Sequence, residues 1–190
     1  MLTQLAELPY FNDPFFVTRS RSAKSIAYEA LWRSMRPVGS LPLREAFLSP
    51  SVGPIQSSVL VIERKPGRRG IVHAAGSKII EQTGQDIVGS DYIELMPEAK
   101  RKEAWWTLGA MISRPCGLWE LMPVYIGSSV ASIVEITGLP VIDDETGKVF
   151  VASYLLPCAM TKEALRKSGV STDAAITYEY LNLGAGIPNL

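Results

Sequence analysis

The hydrophobic residues of the chain first fall into a regular pattern between residues 22 and 36. In SAKSIAYEALWRSMR the apolar side chains return every three or four positions, and Pro37 with Gly39 ends the pattern. This predicts an amphipathic helix ahead of the domain core. Such a helix either packs on its own domain or forms a dimer contact. The dimer interpretation places the apolar side chains of the helix in the interface, namely Ile26, Ala30, Leu31, Trp32 and Met35.

The pattern of the core changes from helical to extended and back. Alternating or short apolar runs between turn residues predict strands over residues 57–65, 70–75, 116–126, 129–142 and 148–157. The first two strands are predicted to pair as a hairpin. A short helix over 77–83 follows, which Ser77 is expected to cap and Gly84 to end. Residues 85–96 predict further short turns, and residues 97–113 predict the longest helix of the core.

This order of elements predicts an α+β fold. A five-stranded antiparallel sheet carries the short helices and one longer helix on one face, and the amphipathic helix precedes it. The chain is predicted to divide into an irregular N-terminal lead-in (1–22), the N-terminal helix with an extended linker (23–56), the core (57–158) and a C-terminal tail (159–190).

Composition narrows the classes of partner. Among 190 residues, Lys plus Arg total 19 and Asp plus Glu total 19, so the formal net charge is zero. A nucleic-acid-binding protein needs an excess of cations on one face, so we expect no nucleic-acid partner. No apolar run reaches the roughly 18 residues that span a bilayer, and the N-terminus lacks the basic start and apolar centre of a secretion signal. We therefore expect a cytoplasmic protein without a membrane partner.

Candidate catalytic chemistry is sparse. Gly76, Gly84 and Gly89 are spaced eight and five residues apart, so they do not form the single phosphate-binding loop of a dinucleotide site. His73 is the only histidine, and the sequence assigns it neither a nucleophile nor an orienting carboxylate. We therefore predict that the chain is not an enzyme; a small enzyme centred on His73 is the less favoured alternative.

The patterns of the remaining charged and sulfur-containing residues do not indicate a catalytic or metal site. The four cations of RKPGRRG (64–70) most simply form a solvated turn, with an anion contact as the alternative. Glu120 and Glu135 lie on predicted strands, but nothing in the sequence shows that they converge. Cys116 and Cys158 lack the spacing of a metal site and predict two buried or half-buried thiols.

The core resembles a PAS domain. The resemblance is carried by a strand that ends at Ala75-Gly76, the short helix SKIIEQT, Gly84, and the turn IVGSD with Gly89. Further along, GLPVIDDETGKVFVAS (138–153) is similar to the PAS connection between the last two strands. Ahead of the core, residues 31–50 resemble the leader of a subfamily of small stand-alone PAS proteins from proteobacteria, common in alphaproteobacteria.

This resemblance, which covers roughly residues 25 to 158, implies a sensory or regulatory module. Such a module binds a small molecule in its core and signals through protein contacts. The residues expected around the ligand are His73, Ile79, Ile93, Trp105, Leu108, Met111, Ile112, Trp119, Ser153 and Tyr154. The expected partners are a second copy of the chain, an unidentified small molecule and an unidentified protein. The alternative is a ligand-free interaction or dimerisation module with a fully packed core.

The known cofactors of PAS domains are not favoured. Haem-binding members generally ligate iron from the long helix or its surroundings, and residues 98–113 contain no histidine. Light sensors of the flavin and p-coumaric-acid classes need a cysteine in the helical region, and residues 77–96 contain none. The cofactor therefore stays unknown at this level.

Overall fold

The computed structural model describes residues 20–96, 98–126, 129–160, 170–172 and 177–188. It is a mixed α+β fold built on one antiparallel sheet, in agreement with the α+β class that the sequence predicts. The helices are α1 (Ala23–Met35), α2 (Arg44–Leu48), a 3-10 helix (Pro50–Ser58), α3 (Ser77–Thr83) and α4 (Glu98–Ser113). The strands are β1 (Val59–Lys65), β2 (Arg69–Ala75), β3 (Gly117–Ile126), β4 (Ser129–Ile142), β5 (Val149–Met160), β6 (Val170–Thr172) and β7 (Thr177–Leu181).

The sheet is one position wider than the sequence predicts. Its order is β2-β1-β5-β4-β3, and the outer edge of β3 is covered by two short strands in line. β7 pairs with the first half of β3 and β6 with the second half. Strand edges leave backbone N–H and C=O groups unpaired, and the C-terminal segments supply partners for them. Of the predicted lead-in, residues 1–19 lie outside the described residues, as do 161–169 of the tail.

The sheet is buried on both faces, and each face has its own core. The α1 face packs against α1, α2 and the 3-10 helix, and its buried side chains include Tyr28, Trp32, Phe47, Val61, Leu139 and Phe150. The α4 face packs against α3, α4 and the turns between them, and its buried side chains include Leu60, Ile62, Ile79, Ile93, Leu108 and Met111. Burial on both faces explains why β1 reads as the continuous apolar run VLVI instead of an alternation.

Helix α1 packs on the sheet of its own chain. Ser22 caps it, because its Oγ accepts a hydrogen bond from Ser25 N at 3.2 Å. Trp32 is fully buried and donates from Nε1 to Pro140 O at 2.7 Å. Tyr28, also fully buried, donates from its hydroxyl to Ala152 O at 3.1 Å. The sequence leaves open whether this helix packs on its own domain or forms a dimer contact. The described contacts are those of a helix packed on its own domain.

The residues predicted for a dimer interface are divided by this packing. Trp32 lies in the core of its own chain, and Met35 packs at the margin of that core. Leu31 is half-buried, whereas Ile26 and Ala30 are exposed, Ile26 by 54%. A homodimer stays a prediction, and of α1 the outer side, with Ile26 and Ala30, is the part that the packing leaves exposed.

Two local predictions differ from the structure. Residues 40–56 are predicted to be an extended linker with at most one helical turn, but they contain both α2 and most of the 3-10 helix, which is kinked at Gly53 with φ 62°. Ser77 was expected to cap α3, but Gly76 holds the cap position and Ser77 is the first helical residue. Gly76 N donates to Val59 O at 2.9 Å, which draws this turn against the end of the 3-10 helix. Gly84 ends α3 in the left-handed conformation with φ 70°, as predicted.

Candidate functional site

The ten residues predicted around a ligand lie on two different faces of the sheet. Seven of them are on the α4 face: Ile79, Ile93, Trp105, Leu108, Met111, Ile112 and Ser153. His73, Trp119 and Tyr154 are on the α1 face. A single pocket therefore does not contain all ten.

His73 lies at a β-bulge in β2. Val61 pairs with Ala74 and Ile62 pairs with Val72, so His73 is an extra residue of β2 with no partner of its own on β1. Its side chain lies on the α1 face, where the ring contacts Phe150 with a centroid distance of 5.0 Å. Alternation from Val72, which belongs to the core of the α4 face, already puts His73 on the α1 face, and the bulge puts the following Ala74 on that face as well.

His73 belongs to an ion-pair cluster at the rim of the sheet. Its Nε2 lies 2.6 Å from Glu63 Oε2, and Glu63 also pairs with Lys65 at 2.7 Å and Lys148 at 3.4 Å. Burial opposes ionisation of Glu63, but hydrogen bonds from Lys65 and His73 and the charges of both lysines outweigh it and lower its pKa. The arrangement satisfies a carboxylate that is only 5% exposed, which is a structural role.

This cluster predicts a pH-dependent loss of stability in Glu63→Gln. At neutral pH the free energy of unfolding of the variant is expected to be about 1–3 kcal/mol lower than that of wild type. The reason is that Lys65, His73 and Lys148 lose their carboxylate partner. A carboxyl with a lowered pKa contributes stability above its unfolded pKa and loses it as the pH falls through the folded value. Wild type and variant should therefore converge in acid when urea unfolding is measured across pH. Glu45→Gln, at an exposed single ion pair, is the control and should change little; equal curves for wild type and Glu63→Gln at neutral pH would contradict the role.

The centre of the α4 face is close-packed. A Cβ placed on Gly70 would lie 3.2 Å from Leu108 Cδ1 and 3.3 Å from Ile93 Cγ1. One placed on Gly138 would lie 3.1 Å from Met111 Cε and 3.3 Å from Ser153 Oγ. Side chains therefore fill the space directly above these two glycines of the sheet.

A carboxyl group, that of Glu120, also lies on the α4 face. Glu120 of β3 points to the α4 face, because Leu118 and Met122 on either side of it belong to the cores of that face. The apolar surroundings are Met96, Met122 and Ile136, with Tyr92, Ala104 and Leu155 at the margin. Glu120 is half-buried among them. We call this cluster, Glu120 with Tyr92, Tyr180 and the apolar side chains just named, the Glu120 site.

The electrostatics of the Glu120 site are unusual for a carboxyl group. Burial raises the pKa of Glu120 to about 7, and the charge of Glu103 adds to the effect. Burial and then the charge of Glu120 raise the pKa of Tyr92. Tyr180 also has a raised pKa, mainly through burial, although a hydrogen bond with Thr107 opposes the shift. Glu120 forms no ion pair with a cation of the described residues.

The position of Glu120 predicts that its removal stabilises the protein at high pH. Between its ordinary value of 4.5 and about 7, the folded protein keeps a proton on Glu120 that the unfolded chain has lost. Stability therefore falls as the pH rises through this window and stays low above it. Glu120→Gln should remove the fall and exceed wild type above this window by on the order of 1–3 kcal/mol. Urea unfolding across pH tests this against Glu81→Gln, an exposed control; a variant less stable than wild type at high pH would contradict it.

The sequence alone indicates Glu120 only as one of several carboxylates dispersed along the predicted strands. The available signal was its position in LWELM, where alternation puts it on the same side as Leu118 and Met122 and therefore inward. Glu135, the other carboxylate considered, lies on the α1 face, where its Oε1 accepts from Trp119 Nε1 at 2.8 Å and from Ser22 N at 2.9 Å. The two carboxylates do not converge.

The described part of the chain holds little other candidate chemistry. There, no three His, Cys, Asp or Glu side chains come together in a way that could hold a metal ion. Cys116 is a buried free thiol, as predicted, and the side chain of Cys158 lies outside what the structure describes. Within the same ranges, every helix is too short or too polar to cross a membrane.

Comparison with models of known protein families finds no match for this chain, and comparison with curated proteins finds none either. A proposal for its function therefore has to rest on the fold and the residues of the chain itself.

Proposed function

We propose that the chain is a small regulatory module of the PAS type that binds a small molecule at the Glu120 site. The observation that carries the proposal is the half-buried Glu120 itself, a carboxyl without a cationic partner among the described residues, set in an apolar end of the α4 face. A carboxyl in such surroundings is a candidate for ligand binding because its interactions are strengthened by low solvent exposure.

The architecture supports the PAS assignment. The first two strands form a hairpin, the last three form a meander, and β1 lies beside β5 in the order β2-β1-β5-β4-β3. Along the chain, a hairpin, short helices, one longer helix and three antiparallel strands follow one another, which is the order of elements that the resemblance to a PAS domain implies. The short helix α3, the turns after it and the longer helix α4 lie on one face of that sheet, where PAS domains hold their ligands. Fold likeness raises the expectation of ligand binding, but the site has to supply the chemistry.

Charge at the Glu120 site favours a ligand with a cationic or hydrogen-bond-donating group. Glu103 adds negative potential to Glu120, and a protonated amine would relieve the repulsion while Met96, Met122 and Ile136 contact its apolar part. Binding of such an amine should strengthen as the pH rises through about 7, where Glu120 ionises.

Signal output is proposed to pass through protein contacts, with no catalytic step. The outer side of α1 and the turn after it expose apolar side chains, Ile26 by 54% and Val38 fully. These side chains are available to a second copy of the chain or to another protein. The proposal thus keeps the homodimer and the unidentified protein partner as its expected partners.

A ligand-free interaction module is the second candidate function. The observation that favours it is the close packing above Gly70 and Gly138, which fills the centre of the α4 face with side chains of the protein. In that case the Glu120 site is only an irregular margin of a packed core.

Thermal shift assays with matched probes separate the two functions. Tyramine and hexylamine are the cationic probes, and 4-ethylphenol and hexanol are their neutral counterparts. The ligand-binding proposal expects at least one amine to raise the Tm of wild type more than its neutral counterpart, and expects Glu120→Leu to show no such difference. Glu81→Gln, which changes an exposed carboxylate, should respond like wild type. Equal responses of wild type and Glu120→Leu would contradict the proposal and favour the packed-core module.

A further inference from the structure

A cleft lies beside the last turns of α4, away from the Glu120 site. It has a volume of about 490 Å³ and lies between β1, the last turns of α4 and the C-terminal segment. Its lining includes Arg64, Trp106, Gly109, Ser113, Arg114 and Pro188. The described residues that line it include two arginines and no acidic side chain. The cleft is therefore positively charged, opposite in sign to the Glu120 site.

Among the described residues, Arg64 has no carboxylate partner in this cleft. Its guanidinium lies over the ring of Trp105, with 3.5 Å between Cζ and the ring centroid. Its Nε is buried and has no hydrogen-bond acceptor among the described residues. A buried guanidinium donor without an acceptor is costly, and an anion beside the guanidinium group would offset that cost through its charge.

Gly109 makes room for that guanidinium. A Cβ at this position of α4 would lie 2.9 Å from Arg64 Nε and 3.1 Å from its Cζ. Glycine is unfavourable inside a helix relative to alanine. The glycine therefore allows Arg64 to lie flat between Trp105 and the helix backbone, with its group fixed in position.

Arg114 supplies a second guanidinium to the lining. Its Nη1 donates to Ile187 O at 3.1 Å, which orients the side chain and uses only one of its five N–H donors. The Ser113 hydroxyl lies beside it in the lining, and Trp106, which is 46% exposed, adds an apolar wall with Ala110 and Pro188. The carbonyl end of α4 carries partial negative charge, but this is smaller than the two full charges of the arginines.

We propose that this cleft binds an organic anion, in which a carboxylate or phosphate group contacts Arg64 and Arg114 and an apolar body lies against Trp106. Guanidinium groups match the planar and multivalent acceptors of carboxylate and phosphate. The ion-pairing group and the apolar wall together select an amphipathic anion over an inorganic one. This inference does not rest on the Glu120 site, and either can fail alone.

Isothermal titration of the full chain tests the site with benzoate and phenyl phosphate as probes and benzamide as the neutral control. Benzoate carries the carboxylate group and phenyl phosphate carries the phosphate group, and the probe that binds more tightly shows which of the two groups the site prefers. Gly109→Ala keeps every charge but displaces the Arg64 guanidinium, so it is expected to weaken binding about tenfold or more. Arg114→Gln should weaken binding by a similar factor, whereas Arg68→Gln, an exposed cation of the neighbouring turn, should not.

The outcomes are distinct. Binding of either anion, lost in Gly109→Ala and Arg114→Gln and weakened by added sodium chloride, supports the site. Benzamide that binds as well as benzoate, anions that bind Gly109→Ala as they bind wild type, or no binding of either anion would overturn it. Circular dichroism shows whether Gly109→Ala is folded; if it is not, Arg64→Lys provides the second test, because it keeps the charge and loses the planar group stacked on Trp105.

Discussion

Replacing Trp32 by alanine is expected to lower the free energy of unfolding by about 3–5 kcal/mol. The side chain is fully buried on the α1 face, and its indole N–H donates to Pro140 O at 2.7 Å. The substitution therefore leaves a cavity between helix and sheet and an unpaired carbonyl in β4. Urea unfolding followed by tyrosine fluorescence and circular dichroism measures the change.

The same experiment separates packing within one chain from packing across a dimer. If Trp32 stabilises its own chain, the loss is the same at every protein concentration, whereas an interface role makes the midpoint depend on concentration. Trp106→Ala is the matched control, since this tryptophan is 46% exposed and its loss should cost about 0.5 kcal/mol or less. A loss for Trp32→Ala no larger than for the control would contradict the described position of α1.

Gly76→Ala is expected to cost about 3 kcal/mol or more, a large effect for the addition of one methyl group. The new Cβ would lie 2.3 Å from the carbonyl carbon and oxygen of Ser57 and 2.5 Å from Gln56 O. These are backbone atoms, so relief requires the 3-10 helix and the β2–α3 turn to move apart. That movement would break the hydrogen bond from Gly76 N to Val59 O.

Ser77→Ala is the neighbouring control. Ser77 is exposed and Gly76 holds the cap position of α3 with no side-chain cap, so the change should stay within about 0.5 kcal/mol. If Ser77→Ala cost more than Gly76→Ala, Ser77 would be the cap of α3, as the sequence suggested, and the close approach at Gly76 would be wrong. Differential scanning calorimetry of the two variants gives the comparison directly.

The strands and helices of the core were predictable because their side-chain periods are set by burial. The runs in β1 and β4 and the stripe with Leu108 and Met111 in α4 all face apolar layers, so their patterns are visible in the sequence. β6 and β7 were not predicted, because strands of three and five residues show too few alternations and pair through backbone groups.

Tertiary placement was less predictable than element type. The apolar stripe of α1 indicated that one side is covered, but the covering surface depends on contacts such as Ser25 Oγ to Thr137 Oγ1 at 2.6 Å, 112 residues away. His73 is predicted beside the ligand, yet it lies on the face opposite Leu108 and Met111, where alternation from Val72 puts it. Glu120 could have been assigned inward from LWELM, but its lack of a cationic partner depends on the folded arrangement.

The most direct test of the Glu120 site as a ligand site is native mass spectrometry of the full chain after incubation with a metabolite extract. The account predicts a wild-type mass that exceeds the bare chain by one small molecule per subunit, with the excess present in Glu81→Gln and absent in Glu120→Leu. A wild type that stays at its bare mass, or an excess that persists in Glu120→Leu, would contradict it.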